Sequence, residues 1–167
     1  MPVRLCLLVL LASGGLAQKL HELCAACHSG PAEDFQGHTH FAKGLSCDAC
    51  HGASKAHRDA TGHKPPDRIA GPAEQPAVCG ACHAAPRKSY ESGQHGKLVL
   101  AREGKRAAAC TTCHGTHSLR QPAAMGSQCQ RCHASLPASC QKAPSAVTSK
   151  LICANCHDPH SLAVARH

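Results

Sequence analysis

The pattern Cys-x-x-Cys-His occurs six times in 167 residues, at Cys24 to His28, Cys47 to His51, Cys79 to His83, Cys110 to His114, Cys129 to His133 and Cys153 to His157. Two thiols at that spacing can form thioethers with the two vinyl groups of one haem while the adjacent imidazole reaches its iron, so the pattern reads as covalent haem attachment. A single Cys-x-x-Cys would suit a zinc half-site or a redox dithiol equally well. Zinc sites do not require His after every second Cys, and a thioredoxin-like dithiol occurs once, beside a βαβ pattern that is absent here. The expected cofactors are therefore six haem c groups, carried by Cys24 and Cys27, Cys47 and Cys50, Cys79 and Cys82, Cys110 and Cys113, Cys129 and Cys132, and Cys153 and Cys156.

A chain so committed has little material for a core of its own. Its aromatics are Phe35, Phe41 and Tyr90, and it is rich in small residues, with 14 Gly and 11 Pro. Buried porphyrin must supply the missing apolar surface, and folding is expected to be coupled to cofactor binding. The fold class that follows is mostly irregular with short α-helices, organised around stacked haems, with little or no β-sheet.

At the N-terminus Arg4 precedes an apolar run from Leu5 to Ala12, and Gly15-Leu16-Ala17 supplies small residues before Gln18. This predicts a signal peptide over 1–17, too short for a membrane span, which needs about 20 apolar residues. The expected mature chain, 18–167, is exported to the periplasm or beyond as one domain, with no transmembrane segment after cleavage. Cys6 would leave with the signal, so Cys140 stands outside the motifs alone and no structural disulfide is predicted. The net charge of +8 does not point to nucleic acid, which is not expected as a partner: six haems bring about twelve propionate charges, and the basic excess mostly balances them.

Aligned on itself, the chain falls into three modules, about 24–57, 79–117 and 129–160, each with two motifs and a trailing histidine: His57, His117 and His160. In the first two modules the loop between motifs carries an aromatic eleven residues after the first Cys (Phe35, Tyr90) and a histidine at sixteen (His40, His95). The aromatics suggest rings packing on porphyrin, and the five histidines suggest distal iron ligands. In the third module the same positions hold Cys140 and Ser145, so one distal histidine is missing. His63 or His38 is the expected internal replacement. His21 and His167, near the mature termini, could reach a neighbouring subunit; an open iron, or ligation by Lys142, Cys140 or Met125, are the other choices. Cys140 itself is read as a packing residue. The Pro-rich stretch Lys64 to Val78 and the shorter Ser118 to Gln128 read as linkers, and Arg102, Lys105 and Arg106 as a solvated basic segment.

His40 through Gly44 to Cys47-Asp48-Ala49-Cys50-His51-Gly52 and His57, and Cys79 to His83 with His95-Gly96 and Cys110 to His117, together resemble the multihaem cytochrome c family. The nearest modules are those of decahaem outer-membrane electron-conduit cytochromes and related periplasmic carriers. The resemblance implies that His28, His51, His83, His114, His133 and His157 are proximal ligands, with the distal histidine often serving the haem of another motif. The chain departs from the family at Ser145, and at Ala53-Ser54-Lys55, where Pro-Gly-Ser is common.

The function implied is electron transfer between redox partners in the periplasm or at the cell surface, with no catalytic residue. Partners would be a quinol-oxidising membrane cytochrome, an outer-membrane conduit or a terminal reductase. Competing expectations are a small-oxyanion reductase using one incompletely ligated haem, although no motif carries Lys in place of the proximal His, and a subunit of a conductive filament or homo-oligomer.

Overall fold

In a computed structural model, the structure describes residues 18–101, 107–133 and 153–164. The expected signal peptide, Cys140, Lys142, Ser145, His167 and the basic segment at 102–106 lie outside the described residues. The fold is mostly helical: α1 (18–25), α2 (Ser29–Gln36), α3 (Thr39–Ala42), α4 (Asp48–His51), α5 (Lys55–Asp59), α6 (Gln75–Gly80), α7 (Ala84–Ser92), α8 (Gln94–Leu100), α9 (Cys110–His114), α10 (Pro122–Gln130) and a 3₁₀ turn (Cys153–Asn155). Among the described residues the β-structure is one antiparallel bridge between His157 and Val164. No described helix is long and apolar enough to cross a membrane.

The helices are short because the sequence punctuates them. Gly52 and Gly115 follow the second motif of the first two modules and stop α4 and α9 at φ +75° and +84°, a region that L side chains rarely adopt. Proline begins helices here instead of excluding them. Pro76 lies in the first turn of α6 and Pro122 in the first turn of α10, where the missing N–H would have had no helical partner. Both stretches expected as linkers therefore run into helix. A proline-rich composition marks where a helix cannot continue, yet it is compatible with where one starts.

The chain divides into two compact units. The first comprises the described residues up to Ala70 together with Thr116–Leu119; the second comprises Gly71–Gly115 and the described residues from Arg120 onward. In the first unit the core is a cluster of rings. Phe35 is buried, edge-on to Phe41 at 5.9 Å and 5.5 Å from the His38 ring, and His21 lies 4.9 Å from Phe41. His21, expected to lie near the mature terminus with a neighbouring subunit in reach, is only 3% exposed.

In the second unit α7 packs between α6 and α8. Pro76 is fully buried, and Tyr90, Val99 and Ala109 complete the core. Gly93 alone joins α7 to α8, and a Cβ on Gly96 would collide with the Tyr90 backbone. That close approach folds α8 back on α7 and fixes the position of His95.

Candidate haem-ligand sites

All six motifs adopt one turn of helix. The histidine N–H donates to the carbonyl of the first cysteine at 3.0 Å for His28, 2.9 Å for His51, His83 and His157, and 2.8 Å for His133; Cys110 to His114 is α9 itself. Residues three and four apart share a helix face. Both thiols and the imidazole of each motif therefore project together, as attachment to one porphyrin edge requires.

The motif histidines are in turn brought to histidines outside the motifs. The ring centroids of His28 and His57 are 6.0 Å apart, those of His51 and His117 6.1 Å, those of His133 and His95 6.0 Å, and those of His114 and His160 6.0 Å. The ring planes lie 20°, 30°, 27° and 16° from parallel in the same order. Rings in van der Waals contact would sit closer. Two imidazoles on opposite sides of one metal ion, each nitrogen about 2 Å from it, have centroids about 6 Å apart. The repeated separation thus fits a single iron between each pair. In every pair the second histidine belongs to a different motif's neighbourhood.

Hydrogen bonds at the other ring nitrogen set the tautomer. His51 Nδ1 donates to the Arg68 carbonyl at 3.1 Å, His57 Nδ1 to the Lys64 carbonyl at 2.5 Å and His157 Nδ1 to the Leu162 carbonyl at 2.7 Å. A carbonyl can only accept, so the proton is on Nδ1 and the Nε2 lone pair is available to a metal. Burial holds His95, His114 and His117 below the usual imidazole range, followed in each case by the facing imidazole. Among the described residues no three His, Cys, Asp or Glu side chains cluster as a metal site. The histidines stand in pairs instead, an arrangement that would suit a porphyrin, which brings four nitrogens of its own.

Residues 33–115 match the family described as cytochrome c7 and related cytochrome c. The chain is also 26% identical over 170 residues to the multiheme cytochrome MtrA of Shewanella baltica (strain OS185). The chain is thus similar to cytochromes c over residues 33–115 and to a multiheme cytochrome over most of its length. The match covers 89% of the chain and 49% of that relative, so the chain spans about half the relative's length. No solved structure matches.

Within the first module and within the second, the first cysteines of the two motifs interact. Hydrogen bonding to the Cys110 thiol draws Cys79 down to about 6 and pushes Cys110 up. Burial, then the neighbouring Cys24, pushes Cys47 up to about 11. The same contact recurs in the first two modules, joining Cys24 to Cys47 and Cys79 to Cys110.

The trailing histidines are positioned by turns whose chemistry is local. Ser54, in a left-handed conformation, donates its N–H to Asp67 at 2.7 Å and its hydroxyl to the His51 carbonyl at 3.1 Å, which sets where α5 and His57 begin. Asp158 accepts from the backbone N–H of His160 at 3.1 Å and of Ser161 at 2.7 Å, and from the Ser161 and Ser89 hydroxyls. Those bonds hold its carboxyl down at about 2.

His38 is buried, and its Nδ1 accepts the His40 N–H at 3.0 Å, capping α3. That bond leaves the proton on Nε2, opposite to His51, His57 and His157. His63 is exposed on the turn after α5. His40 lies 4.7 Å from His38, and His83 occupies the residue just before α7. Phe35 and Tyr90, expected against porphyrin, are buried in the units' own cores, where Tyr90 donates its hydroxyl to the Ala108 carbonyl at 2.9 Å. Sequence comparison missed Arg68, Arg120, Asp67 and Asp158, whose offsets from the motifs do not repeat.

Proposed function

We propose that this chain is a multihaem c-type cytochrome that carries six covalently attached haems and passes electrons along them between redox partners in the periplasm or at the cell surface. The four imidazole pairs at 6.0–6.1 Å carry this reading. Two imidazoles saturate an iron and leave no site for a substrate, and they hold its potential below that of a His/Met pair. Haem supplies the one-electron couple. The polypeptide fixes the imidazoles, their tautomers and the thioether anchors, so little rearrangement accompanies a change of charge.

In this reading Cys24 to His157 form three two-haem modules in one exported chain, with His57, His95, His117 and His160 as distal ligands and His40 as the fifth. His63 is preferred to His38 for the sixth distal position, because the His38 ring is committed to capping α3. A quinol-oxidising membrane cytochrome, an outer-membrane conduit or a terminal reductase would serve as partner. The test is peptide mass spectrometry of protein exported from a host able to mature c-type cytochromes, combined with a redox titration. Haem on each of the six motif peptides and a reversible optical change from all of them support the proposal. Unmodified cysteines after full maturation contradict it.

A further inference from the structure

Two arginines, at different distances along the chain, hold the second haem-attachment turn of the first and second modules in the same way. Arg68 donates Nε to the Cys50 carbonyl at 2.7 Å and a terminal nitrogen to the Ala49 carbonyl at 3.4 Å. Arg120 donates to the Thr112 and Cys113 carbonyls at 2.7 and 2.8 Å. Ala49 and Thr112 occupy the same motif position, as do Cys50 and Cys113. Each arginine also touches the motif histidine residue through its own backbone. The Arg68 carbonyl accepts from His51 Nδ1 at 3.1 Å, and the Arg120 N–H donates to the His114 carbonyl at 2.8 Å.

The last carbonyls of a helical turn have no helical partner and carry partial negative charge. A guanidinium is the side chain able to bond two of them at once, and its bonds are charge-assisted. Arg68 follows its motif histidine by seventeen residues and Arg120 by six. The same contact is therefore reached by two unrelated segments, which argues that the contact itself matters.

We infer that Arg68 and Arg120 are positioning residues for the haem-bearing turns at Cys47–His51 and Cys110–His114, and that each places a fixed positive charge beside its turn that favours the reduced iron. The inference rests on the haem reading of those turns. A positive charge near a redox centre stabilises the state holding one more electron, and outer hydrogen bonds tune the ligands they orient. Arg68 is the more exposed of the two, so its influence should weaken more with added salt.

The experiment uses the mature holoprotein and its variants R68Q, R120Q, R68K and R120K, with attached haem counted by intact mass and individual midpoint potentials followed by NMR-monitored redox titration. The expected result is unchanged haem content, a lower potential for one haem in R68Q and for a different haem in R120Q, and smaller shifts in the lysine variants. Unchanged potentials in both glutamine variants overturn the inference, as do equal shifts with lysine and glutamine, which would assign the effect to loss of the turn's shape alone. Wild-type protein lacking haem on either motif overturns the haem reading itself, a result separately visible in the mass.

Discussion

His114 and His160 face each other at 6.0 Å with ring planes 16° from parallel, although one closes the fourth Cys-x-x-Cys-His turn and the other trails the last. His160→Ala should leave the iron at His114 with one protein ligand. Ferric EPR of the variant is expected to show one high-spin haem in place of a low-spin one, with haem content unchanged. An unaltered low-spin spectrum would exclude His160 as a ligand.

Asp158 holds the backbone that presents His160. Asp158→Ala removes four hydrogen bonds and lets the His160 turn open. A mixture of low-spin and high-spin signal at one haem is expected, smaller than in His160→Ala, while Asp158→Asn keeps Oδ1, the oxygen that accepts all four bonds, and stays closer to wild type. Equal spectra for the alanine variant and wild type would show that the ligand is held by other means.

The Tyr90 hydroxyl, pushed up to about 12 mainly by burial, donates to the Ala108 carbonyl. Tyr90→Phe leaves that carbonyl without this donor and should destabilise the protein by about 1 kcal/mol. Denaturant unfolding of the holoprotein measures it, and the haem spectrum should not change. A spectral change would return Tyr90 to the porphyrin-packing role suggested by its place in the repeat.

His63→Ala tests the sixth distal ligand. One haem is expected to become high-spin and to bind cyanide, whereas His38→Ala should mainly destabilise α3. Six low-spin haems in the His63 variant would remove His63 from the ligand set.

The motif turns were legible in the sequence because they are local: five consecutive residues specify one turn of helix, and the repeat places its trailing histidine. Which histidine faces which was not legible, since His51 meets His117 and His133 meets His95 through tertiary folding. The helices α6 and α10 were hidden by Pro76 and Pro122, whose placement in a first turn permits helix that composition alone argues against. Arg68 and Arg120 escaped notice for a related reason. Their equivalence lies in the carbonyls they reach, while alignment compares only positions along the chain.

Low-temperature EPR of the fully oxidised holoprotein, with spins quantified against haem attached, tests most directly the claim that each paired iron is held between two imidazoles. Near-parallel imidazole planes predict rhombic low-spin signals from the four haems whose pairs stand 6.0–6.1 Å apart. High-spin signal from most of the attached haem would contradict it.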